Sequence, residues 1–140
     1  MNYITDKLKK FSSHVYGYYR KSSNGMTVAE NNIEALCKAN NKILDDLFCD
    51  EGYSSKTLNR PNLNHILYDL QDKDIIMNTI KDVSTDTLNT LTVERLMRKQ
   101  NRNIYFIMED VTLEEIIPWV EKNNTHHISS KEKDDFEIGI

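Results

Sequence analysis

Ile104-Tyr105-Phe106-Ile107-Met108 is the longest apolar run in the chain, and whether it extends or coils decides the fold. An unbroken run of β-branched and aromatic residues has the composition of a buried strand. A strand cannot satisfy its backbone alone. The reading therefore requires a partner from the Ile128 region or from Phe136 to Ile140; without one, the run belongs to a buried helix. On either side stands one phrase used twice. Leu91-Thr92-Val93-Glu94-Arg95-Leu96-Met97 is echoed by Val111-Thr112-Leu113-Glu114-Glu115-Ile116-Ile117. Each copy offers a Thr as helix cap, a Glu in the first turn and an apolar pair at the spacing of a buried helix face.

Further out, helical spacing dominates. Ile4, Leu8, Phe11, Val15 and Tyr18 or Tyr19 recur at steps of three and four, which predicts a first helix. Ser22-Ser23-Asn24-Gly25 reads as a turn, and Thr27 with Glu30 as a capping box opening a second helix. Along that helix Ile33, Leu36, Asn40, Ile43 and Leu47 make a heptad-like seam, in which a central Asn can set register in a homodimer. The same helix would carry Cys37 and Cys49 about 18 Å apart, too far to bridge. Asp50-Glu51-Gly52 ends it, and Pro61 suits the first position of the next helix. Asp72 or Asp74 would cap a short helix carrying Ile75, Ile76 and Ile80. With only four Gly and two Pro, the chain lacks the residues that many tight hairpins need.

These readings predict a mainly α protein: a single-domain bundle of five to six helices with at most one short β-hairpin or edge pair near 104–108. The helical domain would span 1–123, and 124–140 would be a polar, flexible acidic tail. No signal peptide or transmembrane span is legible, and two reduced thiols fit the cytoplasm, or a host cytoplasm for a viral protein. Frequent Asn and Ile, with Ala only at positions 29, 35 and 39, point to an AT-rich genome of a low-GC bacterium, phage or virus.

Function is read from charge. The chain is acidic overall at −4, yet residues 86–103 carry a net +2. Arg95, Arg98, Lys99 and Arg102 would form one stripe on a helix. Such a stripe, with Trp119 as an apolar anchor, predicts docking of a protein partner with an acidic surface. Leu91-Thr92-Val93-Glu94-Arg95-Leu96 also resembles the phrase that opens the first helix of helix-turn-helix units, which implies a nucleic-acid-binding regulator. No turn and recognition helix follow Gln100 at the expected spacing, so nucleic acid ranks behind a protein partner. A self-assembling structural component, built on the Asn40 seam, is the third reading. His14, His65, His126 and His127 show no paired ligand spacing, and the glycines at 17, 25, 52 and 139 form no phosphate loop. The expectation is a non-catalytic adaptor or regulatory protein: not an enzyme, with no catalytic residue, metal or cofactor.

Overall fold

The computed structural model describes residues 2–23, 25 and 27–116. Its elements alternate: β1 (His14–Lys21), α1 (Ala29–Ala39), β2 (Ile43–Glu51), α2 (Pro61–Asn64), β3 (Asp74–Met77), α3 (Thr87–Gln100), β4 (Ile104–Phe106) and β5 (Val111–Thr112). All five strands join one sheet in the order β2-β1-β3-β4-β5. β1 pairs parallel with β2 and β3, β3 pairs parallel with β4, and β5 closes the edge antiparallel. This is an α/β fold around a mixed sheet, and it corrects the expectation of a helical bundle.

The run at 104–108 enters strand β4, and its partners are β3 and β5 rather than the Ile128 region or 136–140, which lie outside the described residues. Burial on both faces explains why β1 and β3 resembled helices. Val15 through Tyr19 are all buried in β1, and all four residues of β3 are buried. Such strands read as continuous apolar runs without polar alternation, so steps of three and four arise by chance. Three tyrosines, a Val and a mid-strand Gly17 still favour extension over a helix.

The expected second helix is cut short at Asn40. Asn41 adopts a left-handed conformation with φ 57°, and Lys42 N–H donates to the Cys37 carbonyl at 2.9 Å, closing the helix end. The seam therefore does not exist as one face. Ile33 and Leu36 are buried on α1, Asn40 caps its end, and Ile43 and Leu47 belong to β2. Cys37 and Cys49 likewise sit on a helix and a strand, and both are free thiols. Pro61 does open α2 at its first turn. The first copy of the repeated phrase lies inside α3, whose cap is Asp86, accepting from Leu88 N at 2.9 Å. Strand β4 follows it directly, so the helix-turn-helix reading is corrected as well. In the second copy Val111 and Thr112 form β5, and Glu115 accepts from Thr112 N at 2.7 Å.

Helices cover both faces of the sheet. α1 packs Ile33, Leu36 and Cys37 against Val15, Tyr19 and Ile76 on one side. On the other, α2, its π-turn continuation His65–Asp69 and α3 pack Leu63, Ile66 and Met97 against Tyr18, Met77 and Phe106. Each fully buried aliphatic residue contributes roughly 1.5–3 kcal/mol. Gly17 lies tight under side chains from β2 and α1. A Cβ there would lie 2.7 Å from Leu47 Cδ1 and 2.9 Å from Ile33 Cγ2. Gly17→Ala is thus expected to destabilise the protein by about 1–3 kcal/mol, measured as a lower urea midpoint with unchanged slope. No helix among the described residues is long and apolar enough to cross a membrane.

Candidate active site

In open α/β sheets the ligand crevice lies beyond the carboxyl ends of the parallel strands, where neighbouring connections leave toward opposite faces. Here β1 leads to α1 on one face, while β3 leads to α3 on the other. The crevice is therefore bounded by Arg20-Lys21-Ser22-Ser23 at the end of β1 and by Asn78-Thr79 after β3. The loop after β2 closes the same end.

β3 stops at Met77, opposite Tyr18, whereas β1 continues to Lys21. The Arg20 N–H consequently has no β3 carbonyl to meet. The Asp82 carboxylate takes its place, Oδ1 accepting from Arg20 N at 3.0 Å and Oδ2 from Thr79 N at 3.0 Å. Asp82 is 5% exposed. Burial outweighs these bonds and pushes its carboxyl up to about 6.

A polar chain ties this point to β2. Arg60 is fully buried. Its Nη1 donates to Tyr18 Oη at 3.1 Å and to the Asp82 carbonyl at 2.7 Å, Nε donates to the Thr57 carbonyl at 2.9 Å, and Nη2 donates to the Val83 carbonyl. Tyr18 Oη donates to Asp50 Oδ2 at 2.8 Å. The Asp50 carboxylate also accepts from Asn62 N and Leu63 N at the start of α2, at 3.0 and 2.9 Å. Burial holds the Tyr18 phenol far above its ordinary value, an effect that Arg60 opposes, so Tyr18 stays protonated and serves as a relay in the scaffold.

On a strand, residues two apart share a face. Tyr18 and Arg20 thus project toward the Arg60 side and Tyr19 and Lys21 toward α1, while Ser22 and Ser23 follow the strand, which ends at Lys21. Both serines are exposed. Ser23 Oγ lies 2.9 Å from where a Cβ on Gly52 would stand, and Gly52 has φ +86° and donates its N–H to the Lys21 carbonyl at 2.8 Å. Ser22 instead opens a turn, its carbonyl accepting from Gly25 N at 3.0 Å. A Cβ at Gly25 would come within 2.2 Å of Ser22 Oγ, so glycine there leaves room for the hydroxyl. Arg20 Nη1 donates to the Tyr53 carbonyl at 2.9 Å, and its buried Nε has no acceptor among the described residues. The end of β1 therefore carries an exposed serine two residues after an arginine whose guanidinium donates to the Tyr53 carbonyl and is not fully paired among the described residues.

The residues expected to bind a partner stand elsewhere. Arg95, Arg98 and Lys99 are exposed on α3, with Arg98 paired to Glu94 at 2.9 Å. Arg102 lies past the helix end and is 6% exposed, donating to the Lys73 and Ile66 carbonyls. It therefore leaves the stripe. Trp119 and the acidic tail lie outside the described residues. Sequence reading passed over Tyr18, Arg20, Ser22, Arg60 and Asp82. The signal available for them was the polar turn Ser22 to Gly25 directly after an aromatic run, which a strand assignment would have placed at a sheet edge.

The chain matches a known family in sequence and known structures in fold. The family model described as the resolvase N-terminal domain matches residues 15–124. Among solved structures, the N-terminal catalytic domain of TP901-1 integrase has a TM-score of 0.75 at 15% identity, covering 84% of this chain and 98% of that one. A resolvase family site-specific recombinase from Streptococcus pneumoniae gives 0.59 at 12% identity, with 91% and 93% covered. The C-terminal catalytic domain of ISC1926 TnpA, an IS607-like serine recombinase, gives 0.57 at 14%, with 67% of each chain covered. No curated protein matches the sequence. The family match overturns the expectation of a non-catalytic adaptor, together with its regulator and structural-component alternatives, and puts an enzyme in their place. From Val15 onward through the sheet and its crevice, the chain belongs to the resolvase N-terminal domain family.

Proposed function

We propose that this domain is the catalytic part of a site-specific DNA recombinase that cuts and rejoins strands through a serine ester, with Ser22 as nucleophile. The observation that carries the reading is the exposed Ser22 directly after the switch-point end of β1, two residues beyond Arg20. Three solved relatives in fold are recombinases or integrase catalytic domains, and one is a serine recombinase.

The chemistry follows from the parts. Ser22 Oγ attacks a DNA phosphorus; the Oγ–P bond forms and one P–O bond to deoxyribose breaks. The serine proton passes to a base, and the departing deoxyribose oxygen takes up a proton as a hydroxyl. No water adds, so the ester keeps the linkage energy and a DNA hydroxyl can reverse the step onto a new strand. Arg20 supplies charge to the non-bridging oxygens, where negative charge grows. Lys21 at the end of β1, Lys56 in the loop after β2 and Lys81 in the turn after β3 lie at this end, so an acidic chain still offers DNA local cations. Such work places the protein in the cytoplasm beside its DNA.

The test is covalent capture. The protein is incubated with fragments of DNA from its source organism, quenched in detergent, and the adduct trimmed with nuclease and mapped by mass spectrometry. A nucleotide carried on Ser22 is the expected result. An adduct on Ser23, or none on any serine, sinks the assignment.

A further inference from the structure

We propose that Asp82 is a positioning residue for this site: its carboxylate fixes the end of β1, and with it Arg20 and Ser22, and lets that end go when it takes up a proton. The inference rests on the serine reading above and deepens it. Asp82 joins two strands that have parted. Its two oxygens each face a backbone N–H, that of Arg20 on β1 and that of Thr79 after β3, both at 3.0 Å. A carboxylate accepts both bonds. A carboxylic acid turns one oxygen into a donor, so one N–H then meets an O–H and that bond is lost. The Thr79 side is the better anchored. Thr79 Oγ1 donates to Glu109 Oε2 at 2.6 Å, and Ile80 N donates to Glu109 Oε1 at 3.1 Å. The Arg20 side is therefore the one to yield, and Ser22 lies two residues beyond it.

The charged groups around Asp82 come from every element packed against it. Arg20 faces it from β1, Arg60 holds its carbonyl from the loop before α2, and Asp50 on β2 reaches it through Tyr18 and Arg60. Glu109 approaches from the turn after β4, and Lys81 is its exposed neighbour. Burial dominates among these influences and raises the carboxyl to about 6. The sign is informative. The folded value lies above the ordinary carboxylate value, so this group favours folding most at low pH, and that contribution is lost as pH rises through about 6. The bond to Arg20 behaves in the opposite way, being complete only above that pH. Global stability and order at the end of β1 should therefore respond to pH in opposite directions. A buried charge held at the expense of stability is what a working site retains.

The experiment follows backbone amides and the Asp82 carboxyl carbon of the full chain by NMR between pH 4.5 and 8. The Arg20 and Ser22 amides are expected to shift with the midpoint of the Asp82 carboxyl, and Arg20 amide exchange, corrected for its intrinsic pH dependence, to gain about tenfold on the acid side. Asp82→Asn should show the acid-side positions at every pH. In parallel, DNA capture by the wild type should fall at least about tenfold from pH 7.5 to 5, while Asp82→Asn gives a low rate without that step. Arg20 and Ser22 amides that ignore the Asp82 titration in the wild type overturn the proposal, even if the variant does not fold. A wild type whose amides titrate as expected but which captures no DNA overturns the serine reading and leaves the latch standing.

Discussion

Ser22→Ala is expected to abolish covalent DNA capture, a loss of roughly a thousandfold or more, because removing a nucleophile removes the ester step itself. Ser23→Ala should leave the rate within about threefold, since the Ser23 hydroxyl lies against Gly52 in the loop after β2 while Ser22 opens the turn to Gly25. The pair is a controlled comparison: the residues are adjacent, identical in type and both exposed, so solubility and folding change alike. Ser22→Cys tests geometry. A thiol is intrinsically more nucleophilic, but its longer bond and larger atom must fit where Gly25 leaves little clearance. Slow but measurable capture by Ser22→Cys would place Ser22 at the phosphorus. Full capture by Ser22→Ala, with loss in Ser23→Ala, would move the nucleophile by one residue, to the hydroxyl beside Gly52. The measurement is the initial rate of detergent-resistant adduct on labelled fragments.

The same strand shows how far the sequence could be read. Signals confined to a few neighbouring residues were legible. Pro61 at the start of α2, the polar turn after Lys21 and the strand composition of Ile104 to Phe106 each state a local preference that the fold keeps. What failed was period. In a parallel sheet covered on both faces, β1 and β3 lose the alternation that identifies strands, so Val15 to Tyr19 could be fitted to helical steps. The decisive local counter-signal was Asn40-Asn41, since an Asn at a left-handed helix end stops the helix and frees Ile43 to Glu51 for β2. The site was harder still. Its members come from the ends of β1, β2 and β3 and the loop before α2, and no spacing in the chain links Ser22 to Arg60 or Asp82. Only the strand order brings them together. Charge misled for a related reason: Arg98 and Arg102 were read as one exposed stripe, but the left-handed Asn101, φ 58°, ends α3 and turns Arg102 inward to satisfy carbonyls.

Arg60→Met should cost about 3–5 kcal/mol, the largest stability effect expected of any single change at this end of the sheet. Methionine approximates the volume of the side chain but none of its donors. The substitution leaves the Tyr18 hydroxyl and the carbonyls of Thr57, Asp82 and Val83 without the N–H groups that now serve them, in a place water reaches poorly. Replacing a buried charge by an apolar group is often neutral when its partners are replaced too, but here the partners remain. With a urea slope of about 1–3 kcal/mol/M, the midpoint should fall by roughly 2 M. Tyr18→Phe should cost less, about 1–2 kcal/mol, because Asp50 keeps its bonds to Asn62 and Leu63 while Arg60 loses one acceptor. Combined, the two changes should cost less than their sum, since each removes one side of the same bond. Additive losses would mean that Arg60 stabilises α2 and the β3–α3 connection independently of β1. The ends of β1 and β3 would then be held by Asp82 alone, and a proton on that carboxyl would loosen the crevice without any help from β2.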